Sequence, residues 1–309
     1  MNNAITFSAP GSLMLLGEHA VLHGKLAVVC AVNRRVRATL TPRADRKIEI
    51  HSALGNFQAD LDNVGSSPEF RFVLAVIKKK LNKLPSGFDL KIESEFSHKI
   101  GFGSSAAVTV AVTAAFAQWT CGVVDSEFLF GSCRDTIREV QGVGSGADVA
   151  ASVFGGVTGY RADPLEIFPF AVSHPLTAVY SGSKMPTVEV IGLVEGRRQK
   201  QPALFDGIFS LMEETSREAL AALETEDWPR LGAIMNFGQG LMDAIGVNNE
   251  KLARIIFSLR ADPEILGAKI SGSGLGDCAV GLGRARENLN AGEQFAVEID
   301  TAGVRKETI

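Results

Sequence analysis

Lys99-Ile-Gly-Phe-Gly-Ser-Ser-Ala-Ala107 is the stretch that decides the fold, because it joins a glycine turn to the start of a long apolar helix. Gly101 and Gly103 allow the backbone to approach a ligand closely. Ser104 and Ser105 open the helix, whose first N–H groups have no partner within the helix. These N–H groups and the helix dipole both favour phosphate. The stretch therefore predicts an anion site, although an ordinary cap of a core helix would use the same residues.

The same stretch also has the spacing of a dinucleotide-binding fingerprint. Gly101, Gly103 and Ala106 follow the Gly-x-Gly-x-x-Ala pattern, and Asp125 comes about 20 residues later. The context opposes a dehydrogenase, because residues 121–124 are too few for the buried strand that should precede the acid. The motif also lies a third of the way into the chain, after a strand-rich block.

Composition and charge restrict the class of protein. The chain has 309 residues, 46% hydrophobic and 21% charged, which is typical of a globular protein with a large core. A net charge of −4 argues against nucleic-acid binding, which needs a basic face. The longest apolar stretch, residues 106–117, is too short for a membrane helix, which needs about 20 residues. Four cysteines without metal-ligand spacing, and an N-terminus without a signal-peptide pattern, predict a cytoplasmic protein.

Strand and helix patterns occur in two blocks, which predicts an α+β fold. The first block has strand patterns over 27–32, 36–41, 47–51 and 88–95, and helix patterns over 70–81, 104–120 and 126–140. The second has a strand over 177–180, helices over 203–224, 228–244 and 249–259, and strands over 268–271, 278–282 and 294–299. With a boundary between 161 and 176, we divide the chain into domains 1–165 and 166–309.

Three further segments suit a phosphate-rich cleft. Asp148 follows a glycine turn and begins a small-residue helix, where it would either accept a hydroxyl proton or cap the helix. Residues 269–278 alternate glycine with small side chains, as in a tight hairpin or a backbone surface that closes over a nucleotide. Residues 9–24 run an apolar strand into Glu18 and His19, which either lie on the surface or bind a polar substrate.

Together these segments resemble the motifs of the GHMP kinases, named for galactokinase, homoserine kinase, mevalonate kinase and phosphomevalonate kinase. Residues 10–24, 101–107 and 269–278 resemble the family's first, second and third motifs, in the family's order. The resemblance implies a two-lobed α+β fold. Its N-terminal half would be like ribosomal protein S5 domain 2 and its C-terminal half ferredoxin-like, with ATP and substrate between them.

The resemblance also implies ATP-dependent phosphorylation of a substrate hydroxyl, with ATP and Mg²⁺ as cofactors. Gly17-Glu-His-Ala-Val-Leu-His-Gly24 resembles the mevalonate kinase branch, whereas residues 141–151 and 276–278 resemble phosphomevalonate kinases. We therefore expect mevalonate as the small-molecule substrate, with phosphomevalonate, a sugar or another alcohol as alternatives. Mevalonate kinases are often dimers, so a homodimer is expected too. A nucleotide-binding regulator without turnover is the alternative from a different class.

Matching positions imply the roles of individual residues. Asp148 matches the catalytic aspartate, and Ser105 matches the serine that meets Mg²⁺ and phosphate. The other ATP-binding positions are Lys99, Gly101, Gly103, Ser104 and Ala106. The substrate-binding positions are Glu18, His19, Lys184, Thr187, Gly272 and Ser273.

Two positions depart from the family pattern. Ser12 stands where the family has a lysine, and Ile137 stands where a second Mg²⁺ carboxylate is expected. Asp135 or Glu139 could replace that carboxylate, although both lie on a different helical face from Ile137. Because clustered phosphates without compensating charge are unfavourable at a low effective dielectric constant, some cation should remain. The possible cations are Lys25, Lys99 and Lys184.

Overall fold

Two β-sheets with helices packed on them position the candidate site. The computed structural model describes residues 4–289 and 291–308. Within these residues the strands are β1 (Ile5–Leu16), β2 (Ala27–Pro42), β3 (Lys47–Ser52), β4 (Gly55–Asp60), β5 (Phe88–Ser94), β6 (Val157–Ala162), β7 (Leu165–Phe170), β8 (Pro175–Tyr180), β9 (Gly267–Ser271), β10 (Cys278–Leu282), β11 (Glu293–Glu298) and β12 (Arg305–Lys306). The helices are α1 (Arg71–Lys80), α2 (Ser104–Cys121), α3 (Ser126–Gln141), α4 (Ala147–Phe154), α5 (Thr187–Lys200), α6 (Pro202–Glu224), α7 (Trp228–Ala244) and α8 (Glu250–Ala261).

The two sheets differ in size, with eight strands in one and four in the other among the described residues. The larger sheet has the order β12-β1-β2-β5-β3-β4, with β6 paired to β2 and β7 paired to β6. The smaller sheet is antiparallel and has the order β11-β8-β10-β9. The change of sheet falls between β7 and β8, inside the predicted boundary interval of 161–176. Residue 165 is the first residue of β7, which belongs to the larger sheet. The division of the chain at residue 165 stays a prediction.

Helix α2 is the centre of the first half. Its sequence is apolar on every face, as expected of a buried helix, and nearly every side chain from Ala106 to Ala117 is buried. It packs on β1 and β2 and also contacts α1, α3 and α4. A large side chain buried in this way, such as Phe116, contributes about 1.5–3 kcal/mol. This packing fixes the first turn of α2, where the glycine turn enters.

Most predicted elements are present with slightly different ends, and the α+β class is confirmed. The strands predicted over 27–32 and 36–41 form one long strand, β2, whose pairing with β1 shifts register after Pro10. The sequence patterns did not predict β4, β6, β7, β12 or α5. Within residues 4–289 and 291–308, every helix is too short or too polar to cross a membrane.

The C-terminal segment returns to the larger sheet. Strand β12 pairs with β1. The buried guanidinium of Arg35, on β2, donates to Asp300 at 2.5 Å and to the carbonyl oxygens of Ala302 and Gly303 at 3.1 and 2.6 Å. The larger sheet is therefore completed by residues from the other end of the chain.

Candidate active site

A cavity of about 1520 Å³ lies where the two halves meet. Its walls come from β1, the first turns of α2 and α4, the segment between β8 and α5, and the loop between β9 and β10. All positions predicted for ATP, substrate and catalysis line this cavity, namely Glu18, His19, Lys99, Gly101, Gly103, Ser104, Ser105, Ala106, Asp148, Lys184, Thr187, Gly272 and Ser273. The structure thus brings together segments that are distant in sequence.

The start of α2 opens onto this cavity. Gly103 is the N-cap residue, with a φ of 60° that favours glycine, and no described side chain caps the helix. The N–H groups of Ala106 and Ala107 donate to the carbonyl of Gly103 at 3.0 and 3.1 Å, while Ser104 and Ser105 line the cavity. The positive end of the helix dipole therefore meets open space, which suits an anionic ligand.

Asp148 lies on another wall of this cavity, as the second residue of α4. The hydroxyl of Ser12 donates to Asp148 Oδ1 at 2.8 Å. The N-cap residue of α4 is Gly146, and the first N–H of the helix, that of Ala147, donates to Ser145 Oγ at 3.2 Å, so Asp148 is not serving as the helix cap. A Cβ atom at Gly103 would lie 2.0 Å from Ser12 Oγ and 3.5 Å from Asp148 Cγ. The glycine turn, the serine and the carboxylate are therefore in direct contact.

The surroundings of Asp148 favour proton uptake more than water would. Asp148 is exposed to the cavity, but the protein packed around its carboxylate replaces part of the surrounding water, and this partial desolvation raises its pKa. The hydrogen bond from Ser12 and the positive charge of Lys184 act in the opposite direction and lower this pKa, whereas the charge of Glu18 raises it. A carboxylate with a raised pKa beside an anion site can accept or orient a hydroxyl proton.

Glu18 forms a buried ion pair with Lys269 of β9. The two side chains are 3% and 1% exposed, and Lys269 also donates to the carbonyl of Ile270. Burial lowers the pKa of Lys269, and the neighbouring Glu18 carboxylate raises it. Glu18 therefore joins β9 to the end of β1, besides lining the cavity.

His19 makes a second connection between the halves. Its Nε2 lies 2.8 Å from the carbonyl oxygen of Ser273, in the β9–β10 loop. Burial lowers the pKa of His19, which favours a neutral ring. In that state Nε2 carries the ring proton and donates a hydrogen bond to the carbonyl oxygen of Ser273. His19 therefore holds the loop against the first half.

The β9–β10 loop also contacts the segment before α5. The Lys184 ammonium lies 3.1 Å from Asp277 Oδ1. The backbone N–H of Asp277 donates to the carbonyl of Ser183, and that of Ser181 donates to the carbonyl of Asp277, both at 2.8 Å. Asp277 is buried, and its pKa is raised by this burial, lowered by Lys184 and raised by Asp148. Two carboxylates and one lysine therefore face the same part of the cavity.

Comparison with known proteins decides the family. The model described as GHMP kinases N terminal domain matches residues 70–156, and the one described as GHMP kinases C terminal matches residues 219–303. The mevalonate kinase of Archaeoglobus fulgidus is 34% identical over 97% of this chain and 99% of that protein. This chain belongs to the GHMP kinases. The mevalonate kinase of Aeropyrum pernix is 30% identical, over 99% of this chain and 98% of its own length.

The fold of this GHMP kinase is shared with solved structures. A crystal structure of L. major mevalonate kinase in complex with R-mevalonate has a TM-score of 0.80 and 23% identity, and the match covers 96% of each chain. The predicted GHMP kinase fold is thereby confirmed, as is phosphotransfer to an alcohol, and the family implies use of ATP. The dinucleotide-binding interpretation is wrong, since Asp125 caps α3 by accepting from the N–H of Phe128 at 2.7 Å.

The two carboxylates predicted as substitutes for Ile137 lie elsewhere in this kinase. Ile137 lines the cavity, but Asp135 and Glu139 do not. Asp135 is exposed beside Arg134, and Glu139 pairs with Lys79 at 2.8 Å. The expectation that one of them supplies a cavity ligand is therefore corrected, because the helix turns both away from the cavity. Within the described ranges, no cluster of three or more metal-binding His, Cys, Asp or Glu side chains occurs.

Sequence reasoning missed Lys269 and Asp277 as members of the site. One available signal was the position of Lys269 in the middle of a short, otherwise uncharged strand, Gly267–Ser271. All five residues of this strand are buried in the structure, and a buried lysine needs a partner. Asp277 follows a glycine-rich turn and has a φ of 59°. Its role becomes visible only from the residues that contact it in the folded chain. Both residues act across the junction of the two halves.

Proposed function

We propose that this GHMP kinase transfers the γ-phosphoryl group of ATP to the primary hydroxyl of mevalonate. The observation that carries this proposal is the meeting of Asp148 with the open start of α2 in one cavity. Relatives named mevalonate kinase, 30–34% identical over nearly their whole length, favour mevalonate among the possible alcohols.

The residues around the cavity suggest a division of work. The first turn of α2, with the hydroxyls of Ser104 and Ser105, would bind the ATP phosphates. Asp148 would accept or orient the proton of the attacking hydroxyl, and Ser12 would hold the Asp148 carboxylate in place. Positioning and electrostatic stabilisation would supply most of the rate enhancement, as in other phosphoryl transfers.

Mg²⁺ belongs to this proposal as the ion that neutralises phosphate charge. It prefers oxygen ligands and usually keeps several waters, with one or two carboxylates and substrate phosphates. The Ser105 hydroxyl and the Asp148 carboxylate, both on the cavity wall, offer ligands of this kind. Substrate contacts by Glu18, His19, Thr187, Gly272 and Ser273 stay predictions, as do a homodimer and a cytoplasmic location.

A substrate panel tests the proposal. The purified protein is given ATP and Mg²⁺ with mevalonate, phosphomevalonate, galactose or homoserine, and ADP release is measured. We expect the highest kcat/KM on mevalonate, and loss of turnover in Asp148→Asn, which keeps the shape of the side chain. Preference for phosphomevalonate or a sugar would reject mevalonate, and absence of turnover on every alcohol would favour the nucleotide-binding regulator.

A further inference from the structure

Lys184 differs from the other lysines considered as cations for this site. Lys25 pairs with Glu213 at 3.2 Å and does not line the cavity. Lys99 and Lys184 both line the cavity and are both exposed, but Lys99 pairs with no carboxylate among the described residues. Lys184 lines the cavity, lies 3.1 Å from Asp277, and is close enough for its charge to act on Asp148. Its ammonium therefore faces the two carboxylates that border the reaction space.

The position of Asp277 is fixed by its backbone. Its two backbone hydrogen bonds, to Ser183 and from Ser181, join the β9–β10 loop to the segment that carries Lys184. Gly276 packs so closely there that a Cβ atom would lie 2.7 Å from the carbonyl oxygen of Ser183. The Asp277 side chain also packs against the glycine turn, since a Cβ atom at Gly101 would lie 3.2 Å from both Cβ and Oδ1 of Asp277. Asp277 is thus held between the glycine turn before α2 and Lys184.

Charge balance favours a side-chain cation here in addition to Mg²⁺. A transferring phosphoryl group carries negative charge on its equatorial oxygens, and here it would pass beside Asp148 and Asp277. Like charges a few ångströms apart repel strongly where protein replaces water. Position 12 holds a serine, which brings no charge, so a side-chain cation that assists Mg²⁺ has to come from another element.

We propose that the Lys184 ammonium contacts the transferred phosphoryl group as a catalytic cation, and that Asp277 is the residue that positions it. This inference rests on the proposed function. In the step itself, the alcohol oxygen forms a bond to the γ-phosphorus while the bond from that phosphorus to the β–γ bridging oxygen breaks. ADP leaves, the alcohol proton passes to Asp148, and Lys184 stays protonated throughout.

The first test replaces Lys184. Loss of one donor that stabilises transition-state charge lowers kcat by about 100-fold or more, so Lys184→Met should lose kcat on this scale with little change in KM for the alcohol. Lys184→Arg keeps the charge and should retain more activity than Lys184→Met. Lys25→Met is the matched control, because Lys25 is also a half-exposed, ion-paired lysine but lies outside the cavity lining. Its kcat should equal that of the wild type.

The second test separates positioning from a general structural role. Asp277→Asn removes the charge while keeping the size and tolerating the positive φ. We expect it to lower kcat less than Lys184→Met does. Because Asp277 acts through Lys184, adding it to Lys184→Met should cause no further loss. A purely structural role would instead lower kcat in both backgrounds and lower the urea midpoint of unfolding.

Two outcomes would overturn the inference. A rise in KM for the alcohol at unchanged kcat in Lys184→Met would make Lys184 an anchor for the substrate's own anionic group. Independent, multiplicative losses for Lys184→Met and Asp277→Asn would show that Asp277 does not act through Lys184. All variants are compared on the alcohol that the wild type turns over best. If the substrate panel rejects mevalonate, the comparison of Lys184 and Asp277 variants therefore still decides the inference. If no alcohol is turned over, both the proposed function and this inference are rejected.

Discussion

The buried Glu18–Lys269 ion pair allows a quantitative prediction of stability. Lys269→Met removes an ammonium that is 1% exposed and leaves the Glu18 carboxylate, 3% exposed, without its partner. Removing one partner of a buried ion pair destabilises a protein by about 3–5 kcal/mol. Because the remaining carboxylate is almost fully buried, we expect a loss at the upper end of this range in the free energy of unfolding.

Urea unfolding, followed by tryptophan fluorescence, measures this loss against a matched control. Lys91→Met breaks the Lys91–Glu93 pair, whose 2.7 Å distance is short but whose side chains are 61% and 49% exposed. Such surface pairs contribute about 0–1 kcal/mol. A double variant, Glu18→Met with Lys269→Met, removes both charges and should recover much of the stability lost in Lys269→Met.

The reasoning is refuted if Lys269→Met costs no more than Lys91→Met. It is also refuted if the double variant is destabilised by the sum of the two single losses, since two residues that stabilise each other must show coupling. Either result would mean that Glu18 and Lys269 are not a buried pair in solution.

Three other outcomes follow from the site and the cysteines. Gly103→Ala should abolish most turnover, because the new methyl group would meet Ser12 Oγ at 2.0 Å at a φ of 60°; steady-state kinetics that match the wild type would contradict this. Since Asp148 must be ionised to accept a proton and partial desolvation raises its pKa, kcat/KM should fall with decreasing pH already above the usual range of an aspartate. A pH–rate profile without that acid limb would remove Asp148 as the base. In native protein a thiol reagent should label Cys121 alone, because Cys121 is exposed and the other three cysteines are buried. Burial also raises the pKa of Cys30 and Cys133 to about 12, which keeps these thiols protonated. Mass spectrometry after labelling with and without urea counts the reactive thiols.

Local patterns made the helices predictable. The largely apolar sequence of α2 and the amphipathic pattern of α1 each predict a helix from the local sequence alone. Helix α5 escaped prediction because only Val190 and Val194 are buried along it, so its sequence lacks a continuous apolar face. Strands β6 and β7 escaped because their patterns are short and become clear only when they pair with β2 and with each other.

The glycine clusters predicted which segments line the cavity, but not which side chains meet there. Glu18 and Lys269 are 251 positions apart, and no spacing rule connects them. The expectation for Asp135 and Glu139 failed for a similar reason, since proximity to Ile137 in sequence does not place a side chain on the same face of α3. Lys184, in contrast, was within reach of sequence reasoning because it stands at a position that matches a substrate-binding position of the family.

The return of the chain to its first sheet has a consequence during synthesis on the ribosome. Arg35 is made early, and Ser8 already offers two acceptors to its buried guanidinium, but the carboxylate that balances its charge, Asp300, comes 265 residues later. A nascent chain can collapse around α2 as it emerges, yet one edge of its sheet waits for β12. Expressed without residues 300–306, the first half would bury a positive charge with no counterion, so it should be a poor independent fragment.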